Sequence, residues 1–232
     1  MTALITAEKI AKTFTLHMQG GLRIPVLAGL DFEIEAGECV ALAGASGSGK
    51  STFMRMIYAN YICSQGSIWV RHDDDRIDMA HASPHQVLDI RRRTMGYVSQ
   101  FLRVVPRIPT IDIVAEPLVV TGSPKAEATE RAAGLLRRLN IPETLWALSP
   151  VTFSGGEQQR VNIARGFAHP YPIMLLDEPT ASLDADNRAV VLQLIDEARS
   201  RGAAIIGIFH DLESRQAVCT RHFDLSKFQV AA

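Results

Sequence analysis

The sequence is short of cysteine, has no long apolar run and carries no surplus of charge of either sign. Each of these absences removes a class of protein. Cys39, Cys63 and Cys219 are its three cysteines. They are odd in number, far apart and without a C-x-x-C pair, which argues against structural disulfides or zinc and for a reducing, cytoplasmic setting. No stretch approaches the roughly 18 apolar residues of a membrane span, and the first residues lack the charged-then-apolar pattern of a secretory signal. Direct membrane insertion is therefore not expected, and any service to a membrane would run through a partner. Lysine plus arginine (24) nearly balances aspartate plus glutamate (25), for a net charge of -1. That balance lacks the basic excess of a nucleic-acid binder. What remains is an ordinary globular composition, 47% hydrophobic and 21% charged over 232 residues. That is enough chain for one large domain or two small ones.

Against this background one stretch stands out: Gly44-Ala45-Ser46-Gly47-Ser48-Gly49-Lys50-Ser51-Thr52. It follows an apolar run, Cys39 to Ala43, that suits a buried strand, and precedes Phe53 to Tyr58, whose apolar spacing suits a helix. Gly44, Gly49, Lys50 and Ser51 fill the phosphate-binding pattern G-x-x-x-x-G-K-[ST] in its proper strand–loop–helix context. Glycines let successive backbone N–H groups turn inward around an anion, and the helix N-terminus adds partial positive charge. Lys50 would reach the β- and γ-phosphates, and the Ser51 hydroxyl would ligate Mg²⁺. A flexible serine–glycine linker would not lie between a buried strand and a helix.

The rest of the chain supplies strand ends that such a loop needs. Leu4 to Ile10, Thr13 to Leu16 and Asp31 to Glu35 alternate like strands, with Gly20-Gly21 able to turn a hairpin. Phe14 lies where a nucleotide base could stack, or where an edge strand needs an aromatic. Ser67 to Val70 predicts a strand, and Arg71 to Arg76, with three adjacent aspartates, a solvated loop. His81 and His85 flank Ser83-Pro84, which starts a helix from Pro84 to Arg93, so they are not read as metal ligands. Met95 to Ser99 predicts a strand ending on Gln100. Prolines at 106, 109, 117, 124 and 142 break the following segment into short pieces around one helix, Ala126 to Leu139. Ser154 caps a further helix, and Gly155-Gly156 would let its first amides approach a phosphate. Ile173 to Glu178 is an apolar strand ending in two carboxylates, Asp177 for the magnesium shell and Glu178 to orient or deprotonate water. A helix over about 186–201 and a last buried strand, Ala203 to Phe209, lead to His210 at the strand edge where ligands of open α/β sheets bind.

Taken in order, the motifs resemble the ATP-binding cassette ATPases over almost the whole chain. They are the loop at 44–51, Gln100, Ser154 to Gln158, Leu175 to Pro179, Ser182 to Asp184 and His210. The resemblance implies an α/β P-loop NTPase with an antiparallel β subdomain and an inserted α-helical subdomain. A single cassette would cover residues 4–230, with a RecA-like core over about 1–100 and 166–230 and the helical part over about 101–165. It implies ATP and Mg²⁺ as ligands: Lys50, Ser51 and Thr52 on phosphate and metal, Gln100 on metal and water, and Asp177 on the metal shell. It also makes Glu178 the general base, His210 the γ-phosphate contact and Asp184 part of a dimer contact. Ser154, Gly155 and Gly156 would touch ATP held by the other half of a head-to-tail homodimer or heterodimer.

Within the cassettes, Tyr58 to Tyr61, Val98 to Arg107, Thr152 to Phe167 and Ile208 to Asp211 are similar to the ATP-binding subunit of the bacterial carbon–phosphorus lyase system. Phe153, Glu157 and Phe209 replace the leucine, glutamine and threonine usual in transport cassettes. That resemblance implies a soluble complex that joins a phosphonate to the ribose of a nucleoside triphosphate. The other reading is the motor of a membrane transporter with separate spanning subunits. In either case the stretch 101–122 beside Gln100, apolar at Phe101, Leu102, Val104, Val105 and Ile108, is the expected docking place.

Overall fold

A computed structural model describes residues 3–230; residues 1 and 2 of the expected core lie outside them. The chain opens with two long antiparallel strands, β1 (Ala3–Leu16) and β2 (Leu22–Glu35). The two short strands expected before residue 17 are one continuous strand. It is bent where Lys9 takes a positive φ of 50° and its backbone N–H donates to the Asp31 carboxylate. β3 (Cys39–Ala43) then leads into the glycine-rich loop and α1 (Lys50–Ile57).

β4 (Gln65–His72) and β5 (Asp75–Asp78) form a hairpin in which Arg71 pairs with Arg76 and His72 with Asp75. The segment expected as a solvated loop is thus mostly ladder. Only the Asp73–Asp74 turn interrupts it, with Asp73 at φ 53° and ion-paired to Arg93 at 3.0 Å. α2 (Pro84–Arg93) starts at a capping box between Ser83 and Gln86, and β6 (Met95–Val98) follows it.

Three helices come next: α3 (Thr110–Val120), α4 (Lys125–Arg138) and α5 (Gly155–Ala168). Pro117, expected to break this region, lies inside α3. It forfeits one backbone bond there, but Ile113, Val114 and Ala115 are buried where α3 meets α4 and α5, and that burial holds the helix. Leu135 and Leu136 of α4, and Leu139 just after it, face the same core. The chain ends with β7 (Ile173–Asp177), α6 (Ala185–Ser200), β8 (Ala204–Ile208), α7 (Leu212–Val218) and β9 (Arg221–Asp224). β9, short and half exposed, is a parallel edge strand that the sequence pattern did not reveal.

The strands form two sheets, β2-β1-β4-β5 and a parallel one, β6-β7-β8-β3-β9. β7 and β8 are buried at every residue, as central parallel strands must be. Their side chains alternate between two cores. Ile173, Leu175, Ile206 and Ile208 meet α1 and the antiparallel sheet, whereas Met174, Leu176 and Ile205 meet the helices α3 to α6. α5 crosses β6 at Gly166, where an added Cβ would stand 2.3 Å from Cγ2 of buried Val98.

Gly166→Ala is therefore expected to lower stability by about 1–3 kcal/mol through overpacking. The helix-propensity gain of about 1 kcal/mol offsets only part of this. The expected readout is a drop of several degrees in thermal unfolding. An unchanged melting temperature would mean that the α5–β6 contact is looser than this geometry shows.

Candidate functional site

The glycine-rich loop joins β3 to α1, and its shape depends on two local features. Gly49 caps α1 at φ 90°, a conformation that side chains resist, and its Cα faces Leu27 and Val26 of β2 closely. Lys50 folds back on the loop, its ammonium donating to the carbonyls of Gly44 (2.7 Å) and Ala45 (2.8 Å). An ammonium has three donors, so one is left to meet an anion. Ser48 is buried, and its hydroxyl has no hydrogen-bond partner. The loop walls an open cleft of about 580 Å³, with Gly44, Ser46, Gly47, Gly49, Lys50, Ser51 and Thr52 on one side. Glu178, Phe209, His210 and Arg215 form the other side.

The acidic wall is built at the end of β7. Asp177 is 4% exposed and accepts a hydrogen bond from the Tyr97 hydroxyl at 3.1 Å. Burial, together with the neighbouring Glu178 charge, pushes its carboxyl above the ordinary aspartate range, and the Tyr97 bond opposes this. Glu178 departs from strand geometry at φ 57°, strained for a side chain of this kind. That departure turns its carboxylate toward two neighbours. Oε1 lies 2.6 Å from His210 Nε2, and Oε2 accepts from Gln100 Nε2 at 3.2 Å. Gln100, His210 and Glu178 thus converge from β6, β8 and β7.

Other candidates lie apart from this cleft. Phe14 does not line it; its ring meets Tyr61 edge-on at 5.2 Å and sits under the Lys12 ammonium at 4.7 Å. Ser154 caps α5, and Glu157 closes the box by accepting from the Ser154 amide and hydroxyl. Gly155 and Gly156 occupy the first turn of that helix, also outside the cleft. Asp184 caps α6 through the Asn187 amide at 2.8 Å. Sequence reasoning missed Tyr97, which is inconspicuous inside a strand, and Arg215, which reaches the cleft only because α7 turns back from His210.

The donors present fit a magnesium ion: the Ser51 hydroxyl, the buried Asp177 carboxylate and the Gln100 carbonyl oxygen, its Nε2 being engaged by Glu178. Asp177 and Gln100 line a second cleft that adjoins the first, while Ser51 lines the first. So few protein oxygens suit an ion that keeps waters and takes phosphate oxygens. Among the described residues, no cluster of three or more His, Cys, Asp or Glu side chains could hold a metal alone.

A parallel sheet with this loop after β3, paired carboxylates after β7 and an antiparallel sheet beside it is the ATP-binding cassette fold. A model described as ABC transporter matches residues 27–181, and the chain belongs to that family as an ABC ATPase cassette. It is 34% identical over 212 residues to the lipoprotein-releasing system ATP-binding protein LolD of Idiomarina loihiensis, covering 91% of this chain and 90% of that protein. It is 38% identical over 210 residues to the macrolide export ATP-binding/permease protein MacB of Brucella melitensis, and spans 31% of that protein's length. The solved dimeric ABC transporter cassette MJ0796 superposes with a TM-score of 0.84 at 27% identity, covering 96% of this chain and 95% of that one.

These relatives overturn the carbon–phosphorus lyase expectation. They are export and lipoprotein-release proteins by name, and the three departures from the usual transport-cassette pattern that accompanied the four similar stretches have local roles. Phe153 and Phe209 are buried in the helical core, and Glu157 closes a helix cap. Each therefore has a packing or capping role within this chain.

The raised Asp177 carboxyl makes a signed prediction. A folded-state pKa above the unfolded one gives stability that is present in acid and lost as pH rises through the raised value. At neutral pH the ionised Asp177 therefore destabilises the nucleotide-free protein. Asp177→Asn is expected to melt a few degrees higher at pH 7, with the advantage fading below the ordinary aspartate range. A melting temperature at or below wild type at pH 7 would contradict the assignment.

Proposed function

We propose that this chain is the ATP-hydrolysing subunit of a membrane transporter, working as a head-to-tail cassette pair on separate membrane-spanning partners. The match to LolD along nine-tenths of both chains is the observation that carries this reading. A permease-linked relative and a dimeric cassette support it. Among the described residues no helix is long and apolar enough to cross a membrane, so the spanning part would lie outside them.

In this reading the backbone of Gly44 to Gly49, including Ala45, Ser46, Gly47 and Ser48, and the Lys50 ammonium hold the phosphates of ATP. Ser51, Gln100 and Asp177 would hold Mg²⁺, beside Thr52. Bound there, Mg²⁺ would offset the charge of the phosphate oxygens. Glu178 accepts the proton of the attacking water. Its two oxygens hold His210 and Gln100, one each, and each oxygen keeps a second lone pair to receive the water. Ser154 to Gly156 lie outside their own cleft and would complete the partner's, with Asp184 at the dimer contact.

Glu178→Gln keeps the shape of the side chain but cannot take a proton. Hydrolysis is expected to fall by about 10²–10⁴-fold, the usual worth of a general base, while calorimetric ATP binding is retained. Phosphate release at near the wild-type rate would remove Glu178 from the role.

The partner surface lies next to Gln100. Phe101 and Val105 are 69% and 66% exposed, whereas Leu102 and Val104 anchor the segment on the helical core. Phe101→Asp would bury a carboxylate in an apolar contact at a cost of several kcal/mol. In its native cell the wild-type chain is expected to sediment with membranes, and the Phe101→Asp chain to stay in the supernatant while still binding ATP. A wild-type chain found wholly in the supernatant would sink the transporter reading.

A further inference from the structure

Two of the three cysteines, 180 residues apart in sequence, meet at the base of the parallel sheet. Cys39 is the first residue of β3 and fully buried; Cys219 ends α7 and is half-buried. Their sulfurs stand 3.6 Å apart. The two backbones are already clasped by the next residue. The Thr220 amide donates to the Cys39 carbonyl at 2.7 Å, and its hydroxyl oxygen accepts from the Cys39 amide at 3.1 Å. A disulfide needs sulfurs about 2.05 Å apart on closely placed backbones, and the Thr220 clasp holds the two chains side by side while the sulfurs close the remaining gap.

From this geometry we propose that Cys39 and Cys219 are a reversible disulfide pair, oxidised by thiol–disulfide exchange with a low-molecular-weight disulfide such as glutathione disulfide. Cys219 is the attacking sulfur. It is the more accessible one, and the Cys39 hydrogen bond and the Arg215 charge favour its thiolate, while the same bond and burial hold Cys39 protonated. The Cys219 thiolate attacks one sulfur of glutathione disulfide, forming a mixed disulfide and releasing one glutathione thiolate. Cys39 then gives up its proton and attacks the Cys219 sulfur, expelling the second glutathione. Two protein thiols are oxidised and one glutathione disulfide is reduced to two glutathiones. Cys63 is the internal control. Burial pushes its thiol up to about 11, and no second sulfur lies against it.

The bond would fasten the end of α7, whose Arg215 lines the loop cleft, to the strand that enters the loop. Because it closes a very long loop, it should also stabilise the fold. The test treats reduced, purified wild-type protein with glutathione disulfide and maps its peptides by mass spectrometry. One linked peptide containing Cys39 and Cys219 is expected, with a melting temperature several degrees higher that dithiothreitol reverses. In Cys39→Ser the exchange should stop at a glutathione adduct on Cys219, without the thermal gain, and Cys63→Ser should leave the 39–219 bond intact. Both thiols still free, a lasting glutathione adduct on wild-type Cys219, or disulfides only between molecules would each overturn the proposal.

Discussion

The hydrogen-bonded alignment of β7 between β6 and β8 is the constraint on which the rest of this molecule depends. Leu176 is paired with Val98 on one side and Gly207 on the other, and Asp177 with Ile208. Because all three strands run the same way, their carboxyl ends share one edge. Gln100, Glu178 and His210, distant in sequence, come within hydrogen-bond reach of one another there. β8 also pairs with β3, which brings the glycine-rich loop to the same edge. A one-residue slip of β7 would turn Met174 and Leu176 into the wrong core and carry the two carboxylates off the edge.

The alternation that protects this register also divides the molecule. One face of the parallel sheet is closed by α1 and the antiparallel sheet, the other by the helices from α3 to α6. α5 joins the helices to the sheet: it packs with α3 and α4, and Gly166 lies directly on β6. The segment from Phe101 to Ile108 connects β6 to this helical group while leaving Phe101 and Val105 in solvent. Any partner that moved this segment would act beside Gln100 and hence on the side chain bonded to Glu178.

The site holds tension that the fold's packing offsets. Asp177 is an ionisable group in a nearly dry position, Glu178 adopts a backbone conformation unusual for its type, and Ser48 keeps a buried hydroxyl unpaired. Each costs stability in the free chain. Asp177 and Glu178 border the clefts and Ser48 belongs to the loop beside them, as expected where local rules yield to function.

The sequence by itself determined the loop that holds phosphate, the strand ends that carry Gln100, Asp177, Glu178 and His210, and the helix starts at Ser83 and Ser154. These features are local: a fixed spacing of glycines, a short apolar run, or one side chain reaching three residues along its own helix. Tertiary structure decided what depended on neighbours. Arg71 to Arg76 became a hairpin because β4 had a strand to pair with, and Pro117 stayed helical because burial outweighed its lost bond. β9 formed because β3 offered it an edge, and Tyr97 and Arg215 joined the site through crossovers no window of sequence contains. The partner class was misread for the same reason. Similarity over Tyr58 to Tyr61, Val98 to Arg107, Thr152 to Phe167 and Ile208 to Asp211 pointed to a particular assembly, but those stretches surround the nucleotide site and the sheet edge, whose chemistry is the same whatever partner is docked.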